Sequence, residues 1–450
     1  MKALHERLTA AGVHSLLVQF TDLHGVAKGK LVPLAHLDDV LTVGAGFSGP
    51  SIRGTGLART GPRSEYMARG AASTAMPLPW WPGVARIVGD GFVADEPFDA
   101  CPRQVLKRAV ARLAERRLVL HVGIEPEFFL LAQEGGRWLP ADAADRLDQP
   151  SYDLQSLARQ LPFLRDLHDA LERCGLDVLQ LDHEDAHGQY EVNFAFADAL
   201  ATADHLMLFK LGAQAIAERH GLVFSMMPKP FSKQPGSSMH CHVSLWQGQK
   251  DDARNVFVPH RADGSIDTAA TLSPLGRHFI AGVLAHAPAL TALAAPTVNS
   301  YKRLSVGPSP CGTPWAPACV AHGLNNRSAL VRTLHGRFEW RAPDASANPY
   351  LMLAGLIAAG LDGIEHELDP GPDCEDDLFT LAPAQIAERG IALLPQHLAE
   401  AIDALEADAT VRGALGETLA REFMALKRSE YLEYSRHVSD WELQRYATAF

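Results

Sequence analysis

The chain has 450 residues, 47% of them hydrophobic and 21% charged, which is enough apolar material for a large core and ordinary for a soluble protein of two domains. A formal net charge of -12 without a strongly basic stretch argues against nucleic acid as the partner, and no segment approaches the roughly 20 apolar residues of a membrane span. Six scattered cysteines with no CxxC spacing argue against a zinc knuckle or disulfide framework and fit a reducing cytoplasm.

The opening MKALHERLTAAGVHSLLVQF predicts a helix and then a strand, and holds neither a signal-peptide core nor a span. After SLLVQFTD come a turn at His24 and Gly25, a second strand and the Gly-rich stretch GAGFSGPSIRGTG. PLPWWPGVARIVGDGFV follows, with helix-breaking prolines and a short strand ending near Asp90. Residues 1–100 are therefore expected to form a small unit of their own, joined by the linker DEPFDACPR (95–103) to a larger one over 101–450. CPRQVLKRAVARLAERR predicts a helix with its basic residues outward. SLARQLPFLRDLHDALERCG and DHLMLFKLGAQAIAERHG predict helices that stop at glycine, and NPYLMLAGLIAAGLDGIEH one apolar most of the way round and hence buried. Several more helices are expected from Leu393 to Tyr446. The fold class is α+β, with a curved, largely antiparallel sheet forming a cleft and helices behind it.

The strand LHVGIEPEFFLL places Glu125 and Glu127 on one face, where they repel unless a cation lies between them. Alone, such a pair is more often a solvated outer face. Three further segments change that reading. HEDAHGQYEVNF supplies Glu184 and Glu191; SSMHCHVSLW sets His240, His242 and Ser244 opposite Cys241, Val243 and Leu245; GRFEWRAPD aligns Arg337, Glu339 and Arg341. Strands with acid, imidazole or guanidinium on one face and apolar groups behind line a polar cleft. Five glutamates and one or two histidines suit two or three hard divalent ions, Mg²⁺ or Mn²⁺ rather than a thiolate-bound metal.

Taken in order, VGIEPEFFLL, HEDAHGQYEVNF, MMPKPF, GSSMHCHVSLW, NSYKRL, NNRSALVR and FEWRAPDASANPYLMLAGLIAAGLDGI resemble the glutamine synthetase family over residues 122–364, and FTDLHGVAKGK, PLPW and SDWELQRY extend the likeness over nearly the whole chain. The resemblance implies an N-terminal β-grasp domain (1–100) and a funnel-shaped catalytic domain (101–450). It also implies a homo-oligomer, a dodecamer of two hexameric rings whose active sites are completed by the neighbour's N-terminal domain. Glu127, Glu184 and Glu191 match the ligands of one divalent ion, and Glu125, His240 and Glu339 those of the other. Arg303 and Arg341 match the arginines that hold glutamate and its reacting carboxylate, with the backbone at Gly236 and Glu127 also facing glutamate. Arg327 and Arg332 match phosphate-facing arginines, and His242, Ser244 and Arg337 match contacts to ATP.

The implied reaction joins the γ-carboxylate of L-glutamate to an amine, with ATP as co-substrate and γ-glutamyl phosphate as intermediate. The departures bear on the amine. Family members that use ammonium carry an acid in an F-D-G-S-S-I-like motif and a Glu shortly after NSYKRL; here FSGPSI has Ser48, followed by Ser51, and RLSVGPS has Ser309. Tyr66 stands where many relatives have Asp. The expected acceptor is therefore an alkylamine, as in the γ-glutamylmethylamide-forming branch, with Tyr66, Trp80, Trp81 and Trp315 as pocket candidates against the plainer reading of core packing. The rivals are an ordinary ammonia-using glutamine synthetase, a ligase for a bulkier amine such as a polyamine or isopropylamine, a guanidino phosphotransferase and a non-catalytic relative. Pro235 replaces the usual Asn before Gly236, and Leu334 replaces an ATP-side Lys. Phe379 occupies the place of an adenylylated tyrosine, so control by that modification is not expected.

Overall fold

Alternation of apolar and polar residues is satisfied here by two separate sheets. The computed structural model describes residues 1–248, 253–306 and 315–450. The first sheet runs edge to edge as Ala27–Pro33, Ser15–Thr21, Val84–Val93, Glu65–Gly70 and Ala45–Ser48, with Ser15–Thr21 and Val84–Val93 parallel to one another. Two short strands, Met76–Pro77 and Glu96–Pro97, add to Val84–Val93.

One expectation fails at its boundary. The strand does not stop near Asp90 but continues to Val93, and Asp90 on it is paired with Arg103 and Lys107 (2.7 Å). Within the 95–103 segment Glu96–Pro97 returns to the sheet and the helix Pro102–Glu115 begins. Within that helix Arg103 points inward. It is 5% exposed and forks onto Asp204 at 3.0 and 2.9 Å while also holding Asp90. A buried guanidinium needs paired carboxylates, and only the tertiary fold brings Asp204 there.

The second sheet orders its main strands as Val178–His183, Gln189–Phe194, Leu118–Glu134, Met239–Gln247, Arg337–Trp340, Val331–Leu334 and His322–Leu324. All of these pairings are antiparallel except the last. Their register lines up one polar stripe across six strands. Asp182 faces Glu191, Glu191 faces Glu127, Glu125 faces His240, and Glu339 lies between His242 and Arg332. The opposite face carries Val122, Ile124, Phe128, Cys241, Val243, Leu245, Phe338 and Trp340, all buried in the core. Burial of that face leaves the stripe nowhere to go but the cleft.

The helices Leu154–Arg173 and Ala199–Arg219 stop as expected. Gly175 (φ 74°) and Gly221 (φ 69°) take the left-handed position after each last turn, and the following Leu176 and Leu222 N–H groups donate to Leu171 and Ala217. The helix Pro349–Glu365 is buried from Pro349 to Leu361. The C-terminal region forms Leu398–Ala407, Ala409–Leu415, Glu417–Arg436 and Asp440–Tyr446. Among the described residues no helix is long and apolar enough to cross a membrane.

Candidate active site

On one side of the cleft the acids stand unneutralised. Asp182, Glu184 and Glu191 each bring an oxygen within 4.8 Å of the others. Glu127, 7% exposed, lies beside them and accepts hydrogen bonds from Gln189 Nε2 (2.7 Å) and the Ser238 N–H (2.9 Å). Burial pushes Glu127 up to about 7 despite that backbone bond and the Arg303 charge. Burial, then Glu127, holds Glu184 well above the carboxylate range; burial, then Glu184, does the same to Glu191. Asp182 rises to about 6 through burial and the Glu125 charge, and its Oδ1 is buried without a partner. Like charges in a low-dielectric cleft can ionise together only beside a cation, and an all-oxygen set suits Mg²⁺ or Mn²⁺.

On the other side the charges are already matched. Glu339 accepts from Arg332 Nη1 (2.8 Å) and Arg341 Nη1 (2.5 Å). Burial opposes its ionisation, but the neighbouring imidazole of His240 and the Arg341 guanidinium pull it down to about 2. Burial and then Arg341 also keep His240 well below its usual range. Glu125, His242 and Glu339 form the second compact group, each with an atom within 4.8 Å of the others. Sequence reasoning assigned His240 to that group and His242 to ATP. Both histidines lie on the same face of one strand. His242 Nε2 is 3.1 Å from Glu125, and His240 Nδ1 is 3.2 Å from Glu339 and 3.9 Å from Glu125.

These two sides enclose a cavity of about 400 Å³ that also takes in Gly236, Ser238, Arg327, Tyr152, Asp185 and Trp315. Arg303 sits behind Gly236, 2% exposed, donating to Ser238 Oγ (2.9 Å) and to the Ala342 carbonyl. A Cβ on Gly236 would lie 2.5 Å from the Pro228 carbonyl oxygen and 3.2 Å from Arg303 Cγ, so the close approach there requires glycine. A neighbouring cavity of about 470 Å³ shares Glu125 and His242 and adds Ser244 and Arg337. Its wall carries the rings of Phe196 and Trp246, with His121 stacked on Trp246 at 5.3 Å. Of the five residues expected near ATP, His242, Ser244 and Arg337 meet in this cavity, while Arg327 and Arg332 line the first.

The amine-pocket candidates divide. Tyr66 is corrected: it is 2% exposed in the N-terminal core, packed on Phe20, Phe47 and Phe98, because its strand position faces inward. Trp80 is also core, 1% exposed against Gly212. Ser48 and Ser51 are exposed on the first sheet's edge, bonded to one another at 3.0 Å and outside both cavities of this chain. Ser309 lies outside the described residues. Trp315 does line the first cavity, as does Asp185. Asp185 accepts from Ser151 Oγ, and burial raises it above the ordinary range.

Asp182 and Asp185 escaped the reading of the sequence. Both flank Glu184 in LDHED, and two-residue alternation from Glu184 back to Asp182 is the signal that could have found the first. Asp185 lies past the strand's end, where alternation no longer applies.

The glutamine synthetase catalytic-domain model matches residues 99–446. A glutamate–methylamine ligase from Methyloversatilis universalis is 48% identical over 438 residues, covering 97% of each chain. A glutamine synthetase from Rhizobium meliloti is 37% identical over 96% of each. Among solved structures, a GmaS/ADP complex superimposes with a TM-score of 0.89 at 36% identity, covering 99% of this chain and all of the other. Apo GmaS without ligand gives 0.88 at 36% identity over 100% of both.

Proposed function

This chain belongs to the glutamine synthetase family, and we propose that it is an ATP-dependent carbon–nitrogen ligase joining the γ-carboxylate of L-glutamate to methylamine, with γ-glutamylmethylamide, ADP and phosphate as products. The observation that carries the choice of acceptor is that Asp185 and Trp315 both line the acid-lined cavity where it adjoins the next one. A carboxylate to hold an alkylammonium shares that space with a ring that can cover its methyl group. In this reading Asp185, next to Glu184, takes the place of the acids missing at Ser48 and Ser309.

The donor set fits divalent ions: the carboxylates converge, and Asp182 Oδ1 and His240 Nε2 are buried polar atoms with no partner. Glu127, Glu184 and Glu191 would hold one Mg²⁺ or Mn²⁺ and Glu125, His240 and Glu339 another, with Asp182 and His242 as additional donors. Such ions, when bound, offset charge on phosphoryl oxygens. ATP lies along the Ser244, Arg337 and His242 cavity, with Arg327 and Arg332 toward its phosphates. Arg303, Arg341 and the Gly236 backbone orient glutamate, whose γ-carboxylate takes the γ-phosphoryl group to become an acyl phosphate. The bound alkylammonium gives up a proton, the amine nitrogen adds to the acyl carbon, phosphate leaves, and loss of a second proton from nitrogen leaves the amide. Fixed guanidiniums suit both steps because each spreads negative charge over oxygens in a water-poor cleft.

Residues 1–100 are read as a β-grasp unit and 101–450 as the catalytic one, in a cytoplasmic dodecamer of two hexameric rings with active sites shared between subunits. Exposed Ser48 and Ser51 on the first sheet and exposed Trp441, Leu443 and Tyr446 on the last helix are surfaces suited to such contacts.

The test is phosphate release from ATP with glutamate and Mg²⁺ or Mn²⁺ across ammonium, methylamine, ethylamine, isopropylamine and putrescine, with the amide identified by mass. Methylamine is expected to show the highest kcat/KM, and Asp185→Asn to raise its KM on the order of tenfold or more, the loss expected for a desolvated charge-assisted contact. A preference for ammonium would make this an ordinary glutamine synthetase.

A further inference from the structure

Beyond the first cavity lies another of about 470 Å³, bounded by Asp148, His187, Lys233 and Gln234. Trp315, Asp185, Ser151 and Pro235 line both spaces, so the two meet at the Trp315 ring. We propose that Trp315 sets the size limit of the acceptor: its indole is the partition that stops the amine after one carbon, and without it the site would take longer primary amines, diamines above all. This rests on the methylamine-ligase reading.

Trp315 is held by two neighbours. Its carbonyl accepts from Arg341 Nη2 at 3.1 Å, so its backbone is tied to the same guanidinium that holds Glu339. The ring also meets Phe379 edge-on, with centroids 6.5 Å apart and planes at 89°. Its backbone adopts φ 45°, a conformation that costs a bulky residue energy and persists where the surroundings impose it. A side chain tied in this way is a wall and not a loose surface ring, although it is 38% exposed.

The chemistry behind the wall decides which amines would benefit. The far cavity is polar, with Asp148 as a second carboxylate beyond Asp185. An alkyl chain threaded past position 315 would keep its reacting nitrogen near Asp185 and could set a distal ammonium toward Asp148. A monoamine of the same length gains room but no second charge partner. Diamines should therefore gain more than monoamines when the ring is removed.

Trp315→Ala, Trp315→Leu and Trp315→Phe would be compared with the wild type using methylamine, n-butylamine and putrescine, with products identified by mass, KM for glutamate and ATP measured alongside and melting curves recorded. The alanine variant is expected to raise kcat/KM for putrescine relative to methylamine by about tenfold or more, the range in which pocket size changes discriminate substrates. Butylamine should gain less, and phenylalanine, which keeps a ring but a smaller one, should shift the ratios less than alanine. Should alanine prevent folding, leucine, smaller than the indole and still apolar, gives the same comparison. Unchanged ratios in a folded variant, or an equal fall for every amine, overturn the partition while leaving the ligase reading intact if the wild type prefers methylamine. A wild type that prefers ammonium overturns both.

Discussion

The two walls of the same cleft are built from the same residue types and behave in opposite ways. Glu339 is pulled down to about 2 by His240 and by the guanidiniums that already bond to it, whereas Glu184 and Glu191 are driven far up by burial and by neighbouring acids, Glu127 for the first and Glu184 for the second. One wall is neutralised by the fold; the other is left with mutually repelling acids. If an ion binds as proposed, its binding energy is spent partly on relieving repulsion that the folded chain carries by itself.

The sharpest break of that comparison is a pair of isosteric substitutions with opposite signs. Glu339→Gln should destabilise the metal-free protein by about 3–5 kcal/mol, because it leaves Arg341 and Arg332 short of their buried counter-charge. Glu191→Gln should raise the metal-free melting temperature by removing one of the mutually repelling acids, while cutting kcat by about 10²–10³-fold or more. Calorimetry without divalent ions, paired with phosphate-release assays, reads both. Two shifts of the same sign would mean that the walls do not differ electrostatically.

Next in size, Arg341→Lys should lower kcat/KM on the order of 10²-fold while leaving the fold intact, since an ammonium cannot bond Glu339 and the Trp315 carbonyl together in the planar fork that Arg341 uses. Steady-state kinetics with near-normal melting would support this; retained activity would assign the substrate contact elsewhere.

Smaller again is the pH response. Glu127, at about 7, and Asp182, at about 6, bind protons more tightly folded than unfolded. Metal-free stability should therefore increase as the pH falls through about 7 and then 6, on the order of 1 kcal/mol, and decrease again toward pH 8. Saturating Mg²⁺ at about 100 times its Kd should add roughly 2.7 kcal/mol and flatten that slope. A weaker slope of the same sign should survive the metal. His286 bridges Asp408 at 2.6 Å and Asp362 at 3.1 Å, which raises its pKa, so its contribution is complete below about 6.5 and disappears as pH rises through its folded value. His286→Gln should abolish the residual slope in pH-dependent melting curves.

Much of this site was legible in the sequence because strand geometry is local. Glu125 with Glu127, and His240 with His242 and Ser244, share faces for the same two-residue reason, and the apolar residues between them are buried as that pattern requires. Helix ends at Gly175 and Gly221 were equally local. Asp185 was not, because it follows the strand Val178–His183, and its place in the cleft depends on Ser151, which the fold brings to it, and on the cavity lining it shares with Trp315. Arg103 looked like one of several basic residues on a helix until Asp204, 101 positions away, came to face it. Tyr66 drew attention because it replaced an acid, and the packing of Phe20, Phe47 and Phe98 around it placed it in the core.

By itself, then, the sequence determined which side chains share a face, where helices stop and that several acids share one cleft, since these follow from backbone periodicity. Tertiary structure alone decided which acids are neutralised by arginine and which are left facing other acids, because that depends on the strands that happen to be neighbours. Glu339 is flanked by the strand carrying Arg332, while Glu191 lies between strands carrying Glu127 and Asp182. Coulomb energy in a buried cleft follows distance through space, and distance along the chain does not report it.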